Sequence, residues 1–288
     1  MKLGVFSEFF SLLGFKWERK NRKKVKEVQK IESKEDYFIK NGGILLEKQI
    51  ALSQVLCHDN MIKLYGCCLE TCVPITVNEF YPSKALYEHL YGGMSLQKPL
   101  TWTNRLRAAT DIAYALSYMH NALSQPVVHR DITSFAVLLD SSSNVKLSHF
   151  DHSVAISPGQ RDRWPVHGAP GYIDPEYIET QEVTEGCDVY SFGVLMLELL
   201  TSRDPIEMAR CGNNLVYEFV FEVEKNRFQA MIDRILLEES NMDEIQRFAQ
   251  LALKCVAKKG EERPSMITIV EELWVIQDQG NNGKWNKA

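Results

Sequence analysis

The chain has 288 residues, enough for one large domain or two small lobes. Its 45% hydrophobic and 25% charged content exclude a disordered or fibrous class, and a net charge of −5 gives no electrostatic reason to expect a nucleic acid partner. Seven scattered cysteines without a Cys-x-x-Cys, and no apolar run of membrane-spanning length, point to a reduced, cytoplasmic setting.

Residues 1–15 alternate at helical spacing. Leu3, Val5, Phe6, Phe9, Phe10, Leu12 and Leu13 share one side, and Gly4, Ser7, Glu8, Ser11 and Gly14 the other. A basic run follows, from Lys16 to Lys26. Glu8 interrupts any signal-peptide core, and Lys2 stands where N-myristoylation needs glycine. Two readings stand side by side: contact with an anionic membrane surface through residues 1–26, or packing on this protein or a partner. Gly42-Gly43 breaks the chain, and Ile44 to Leu56 reads as a helix. Cys67, Cys68 and Cys72, with Cys57-His58 nearby, match no zinc spacing and read as small side chains in a strand pair, so no metal site is expected. Pro74 to Tyr81 reads as a strand. Trp102 to His120 reads as a long helix with Leu106, Ala109, Ile112, Ala113, Leu116 and Met119 on one stripe. Asp188 to Thr201 is an apolar helix, Met266 to Gln277 an amphipathic one, and the tail from Asp278 is rich in Gly and Asn.

The motif that organises the rest runs from Val127 to Asp151. Its first half, V-V-H-R-D-I-T-S-F-A-V-L-L-D, resembles a protein-kinase catalytic loop with His129, Arg130 and Asp131 in register. Its second half, ending S-H-F-D, resembles the turn where kinases carry Asp-Phe-Gly. The chemistry departs from the pattern. Ala136 stands where an Asn holds one magnesium ion, His149 where an Asp holds the other, and Asp151 replaces the Gly. Thr133 stands where serine/threonine kinases place a Lys. Mg²⁺ wants oxygen ligands in a tight octahedron; alanine offers none and histidine offers nitrogen. Phosphoryl transfer is mostly positioning and charge neutralisation, so Asp131 reads as a remnant base.

The resemblance extends on both sides. K-N-G-G-I-L-L (40–46) and A-L-S-Q-V-L-C-H-D-N-M-I-K-L-Y-G-C-C-L-E-T (51–71) are similar to plant wall-associated receptor-like kinases. The glycine-rich loop and V-A-I-K strand that the family carries between them are absent, and the helix Glu that pairs with that lysine falls on Lys48, beside Glu47. Asn78 takes the gatekeeper position, with Glu79 to Tyr81 as a hinge whose backbone could hold an adenine weakly. H-G-A-P-G-Y-I-D-P-E-Y (167–177) matches the end of an activation segment, where Ser153 and Ser157 are candidate phosphorylation sites and Arg130 would answer the phosphate. Glu176 and Arg263 are expected to form a buried pair, while Asp188, His129 and Phe150 are structural.

The resemblance implies an α+β, kinase-like two-lobe fold with an incomplete small β lobe and a mainly helical large lobe. Four stretches are expected: an amphipathic and basic segment (1–35), a partial small lobe (36–81), a large lobe (82–277) and a flexible tail (278–288). An incomplete small lobe exposes a sheet edge and an apolar face, which residues 1–35 or a partner would cover. Within the family the chain resembles wall-associated-kinase-like pseudokinases without ectodomains. Members of that group act as adaptors between intracellular nucleotide-binding leucine-rich-repeat immune receptors and cytoplasmic kinases. The implied function is therefore a catalytically inactive scaffold in plant defence. It would need neither ATP nor Mg²⁺, and it would sit in the cytoplasm or at the periphery of the plasma membrane. Two alternatives remain open: a weak serine/threonine kinase using Asp131 with Asp151 or Asp140 as substitute metal ligand, and a truncated product without a stable fold.

Overall fold

A computed structural model describes residues 56–68, 71, 75–92, 99–157, 163–239 and 241–285. The residues 1–55, with the amphipathic segment, Gly42-Gly43 and Lys48, lie outside the described residues. The chain divides into two units. The first comprises residues 1–46 and 67–75, of which Cys67, Cys68, Thr71 and Ile75 are described; Cys68 is an exposed free thiol. The second comprises residues 47–66 and 76–288 and carries the elements that follow, apart from Cys67, Cys68 and Ile75 at the ends of the first two strands.

The elements alternate short strands with helices. The strands β1 (Leu64–Cys68) and β2 (Ile75–Asn78) pair as a two-stranded sheet. Tyr65 and Val77 are exposed on it. The strand β3 (Ser83–Ala85) then leads straight into helix α1 (Leu86–Tyr91). Helix α2 (Trp102–Asn121) follows, capped by Thr101, whose hydroxyl accepts from the Asn104 amide. All six residues of the expected stripe are buried. The strand β4 (Val127–Val128) pairs antiparallel with β7 (Val154–Ala155). Between them, β5 (Val137–Asp140) pairs with β3 and with β6 (Val145–Leu147), both antiparallel. The stretch before β1 is fixed to this sheet: Ile62 donates to the Leu147 carbonyl and Leu147 to that of Asn60, each at 2.8 Å.

The large body is helical: α3 (Pro175–Thr180), α4 (Glu185–Thr201), α5 (Pro205–Arg210), α6 (Leu215–Glu224), α7 (Arg234–Glu239), α8 (Met242–Cys255) and α9 (Met266–Trp285). Every residue of α4 from Cys187 to Thr201 is buried: most are apolar, and the polar ones, Asp188, Ser191, Glu198 and Thr201, are hydrogen-bonded inside the protein. It packs against α8, and α9 packs against α2. The α4–α8 approach needs Gly193. A Cβ there would stand 2.7 Å from both Cys255 Cβ and Val256 Cγ1. The sequence placed the end of the last helix at Gln277; it continues to Trp285. Adding a residue to an existing helix costs little once its first turn is formed, so two glycines and two asparagines do not stop it. The fold class is α+β, as expected.

Candidate functional site: a kinase-type loop and its surroundings

The loop after β4 is built around one buried carboxylate. Asp188, near the start of α4 and fully buried, accepts the backbone N–H of His129 at 2.7 Å and of Arg130 at 2.8 Å. These bonds hold Arg130 at φ 71°, a left-handed conformation that a bulky residue rarely adopts unaided. His120 Nε2, from the end of α2, lies 3.0 Å from the same carboxylate. Burial pushes the Asp188 carboxyl up, but its bonds to His120 and the loop outweigh that and hold it below the ordinary range. His129 is the second anchor. Its Nε2 lies 2.8 Å from the Ser148 carbonyl oxygen and its ring meets Phe150 edge-on, with centroids 5.2 Å apart. Burial lowers its pKa, so it stays neutral. His129, Phe150 and Asp188 are therefore packing and positioning groups.

Asp131 is half-buried, and its amide donates to His129 Nδ1 at 3.2 Å. With Arg130, His167 and Tyr172 it lines a cavity of about 10 Å³, room for one water. Thr133 is buried, and its hydroxyl accepts from the Ala136 amide at 3.3 Å. Ala136 is completely buried, its methyl in the main core. Its carbonyl accepts both the amide and the hydroxyl of Ser148, each at 2.8 Å. His149 is exposed, at φ 63° and ψ 49°. That left-handed conformation suits histidine better than most side chains. Asp151 is exposed in the 3₁₀ turn Phe150–His152. Neither Ala136 nor His149 supplies an oxygen ligand. Among the described residues no three His, Cys, Asp or Glu side chains converge where they could hold a metal.

The hinge side chains are already engaged. Asn78 is exposed and donates to Thr76 Oγ1 at 3.4 Å. Glu79 donates its amide to the Lys63 carbonyl at 2.8 Å and pairs with Lys146 Nζ at 2.5 Å. Tyr81 donates to the Asn144 carbonyl at 3.0 Å, and Lys146 lies 5.5 Å from the centre of its ring. Burial and the nearby Asp140 carboxylate push the Tyr81 phenol up to about 12.

Arg130 is the residue expected to meet a phosphate. Its guanidinium instead donates to the carbonyls of His152 (3.2 Å) and Pro165 (2.6 Å) and to the Tyr177 hydroxyl (2.7 Å). The rings of Trp164 and Tyr177 flank it at 5.7 and 5.8 Å. Both flanks of the segment are thus tied to Arg130 by neutral oxygens. Of the two candidate phosphorylation sites, Ser153 is fully buried and Ser157 half-buried.

The expected Glu176–Arg263 pair is corrected in its partner. Arg263 forks onto Asp174, with Nη1–Oδ2 at 2.5 Å and Nη2–Oδ1 at 2.7 Å, both side chains buried. It also donates to the carbonyls of Ala257, Lys258 and Gly186 and covers the Tyr190 ring. Glu176 is 4.0 Å away and 44% exposed, and its carboxylate accepts the Gly260 amide instead. Asp174 is the N-cap of α3, where its side chain accepts from the Glu176 amide, and this bond orients its carboxylate for the arginine fork. The D-P-E triplet carried the signal: it holds two carboxylates, Asp174 and Glu176, that could meet the arginine.

No helix among the described residues is long and apolar enough to cross a membrane. The chain matches the protein tyrosine and serine/threonine kinase family over residues 8–273. Wall-associated receptor kinase 2 of Arabidopsis thaliana is 40% identical over 245 residues, covering 84% of this chain and 33% of the relative. Wall-associated receptor kinase 4 of the same plant is 39% identical over 244 residues, with coverages of 84% and 33%. Its putative wall-associated receptor kinase-like 16 is 38% identical over 244 residues, covering 83% of this chain and 56% of the relative. The chain thus spans about a third of the length of the first two. With the His129-Arg130-Asp131 loop seated on Asp188 and the family match over most of its length, the chain belongs to the protein tyrosine and serine/threonine kinases.

Proposed function

We propose that this chain is a catalytically inactive member of its family, a kinase-like scaffold that binds other proteins in plant signalling. One observation carries the reading: the two metal-holding positions are occupied by Ala136, whose methyl is sealed in the core, and by His149, which offers nitrogen. The side chains of the hinge, engaged by Lys146 and Asn144, add rigidity to that frame. Arg130 adds more, because it holds the segment without a phosphate. A rigid, self-satisfied frame suits a docking platform. The partner class follows from the resemblance to wall-associated-kinase-like adaptors: an intracellular immune receptor, an active cytoplasmic kinase, or both. Residues 1–26 would supply any membrane contact.

A second reading has its own support. Asp131 survives on a correctly seated loop, and relatives of 37–40% identity are named receptor kinases. Under that reading the chain is a weak serine/threonine kinase that binds ATP. Thermal denaturation with ATP and Mg²⁺ or Mn²⁺ separates the two. A ligand at 100 times its Kd stabilises by about 2.7 kcal/mol, a rise of several degrees. The scaffold reading predicts no shift, and co-purification from plant tissue then names the partner. A clear shift would favour the second reading.

A further inference from the structure

Glu198 lies within α4, completely buried, and among the described residues it makes no ion pair. Hydroxyls from three separate parts of the chain surround it. Tyr91, the last residue of α1, donates to Oε1 at 3.0 Å. Tyr172, near the end of the segment, donates to Oε2. Ser134, in the loop after Asp131, has its hydroxyl 3.4 Å from that of Tyr172. The charge that reaches it is of its own sign: Asp204, the N-cap of α5. Behind Tyr91 stands Tyr87, with ring centroids 4.9 Å apart. Tyr87 stacks in turn on the exposed ring of Phe135 at 4.0 Å.

We infer that Glu198 is a proton-dependent latch, which ties α1 to the loop and to α4 when protonated and loosens that tie when ionised. A buried carboxylic acid is neutral and can both donate and accept among three hydroxyls. The carboxylate can only accept, and it sits buried without a cation. If α1 swings away, water reaches the carboxylate, so opening favours the ionised form. Burial accordingly pushes the carboxyl up to about 7, against the hydroxyl bonds that pull it down, with Asp204 adding to the rise. The sign follows. Between the ordinary carboxylate range and about 7 the closed state holds a proton that the open state has lost, so opening becomes easier as pH rises and levels off above about 7. The Tyr87–Phe135 stack joins α1 to the loop, so acidification holds that stack together. None of this depends on whether the chain transfers phosphate.

Hydrogen exchange on the full chain tests the latch. Protection of the 86–91 amides, corrected for the intrinsic effect of pH on exchange, is expected to rise about 20-fold from pH 7.5 to pH 5.5. In Glu198→Gln the change is expected to be under twofold, since the amide keeps the shape without titrating. Tyr91→Phe keeps the ring packing and removes the hydroxyl bond to Glu198: overall protection drops, while burial of the Glu198 carboxyl keeps the pH dependence. An infrared band of protonated carboxylic acid persisting above pH 6, lost in Glu198→Gln, reads the same group without relying on exchange. A wild-type profile that is flat, or a Glu198→Gln profile as steep as wild type, overturns the proposal.

Discussion

At the residue scale the loop is held by groups that neither bind nor react. Asp188, His120 and His129 position the chain, and Asp174 with Arg263 locks the segment's end onto the helical body. The Asp174–Arg263 pair makes a sharp prediction. Removing one partner strands a buried charge, so Asp174→Asn or Arg263→Ala is expected to cost about 3–5 kcal/mol in denaturant unfolding. Glu176→Gln, at the half-exposed position the sequence favoured, is expected to cost under about 1 kcal/mol. A larger loss at Glu176 than at Asp174 would reverse the assignment. His129 adds a pH effect. Burial holds its folded pKa below the ordinary 6.5, so the unfolded chain takes up a proton first as pH falls. Its stabilisation is complete above about 6.5 and declines below, and chemical denaturation of His129→Asn between pH 7 and pH 5 should show a shallower loss than wild type.

At the element scale, much was legible because it rests on pattern. The stripe of α2 and the mostly apolar run of α4 could take no other place than the core. The His129-Arg130-Asp131 loop was legible because its residues are contiguous. What escaped needs partners far apart in the chain. His120 reaching Asp188, Lys146 reaching Glu79, and Tyr91, Ser134 and Tyr172 meeting at Glu198 leave no local trace. Asp174 was visible but eclipsed by the expectation for Glu176. The end of α9 was misplaced because Gly and Asn are weak stops inside an established helix. The α4–α8 contact yields a prediction of its own. Gly193→Ala puts a methyl 2.7 Å from Cys255 and Val256, so it is expected to destabilise by about 1–3 kcal/mol, lowering the melting temperature by several degrees. An unchanged melting temperature would show that the two helices can part freely.

At the scale of the whole molecule, the proposed function rests on a kinase-type loop seated on Asp188 in which the positions assigned to magnesium ligands carry Ala136 and His149. Ala136 belongs to the core and His149 to the surface. Restoring oxygen ligands is therefore expected to be uneven. His149→Asp changes an exposed group and should be tolerated. Ala136→Asn forces a polar amide into a filled site and is expected to cost about 1–3 kcal/mol, readable by urea unfolding. The measurement that bears most directly on the account is transfer of labelled γ-phosphate from ATP by the purified full chain, with Mg²⁺ or Mn²⁺, to itself or to a general protein substrate. The account predicts no incorporation, the same for wild type as for Asp131→Asn. Incorporation by wild type that Asp131→Asn abolishes would contradict it.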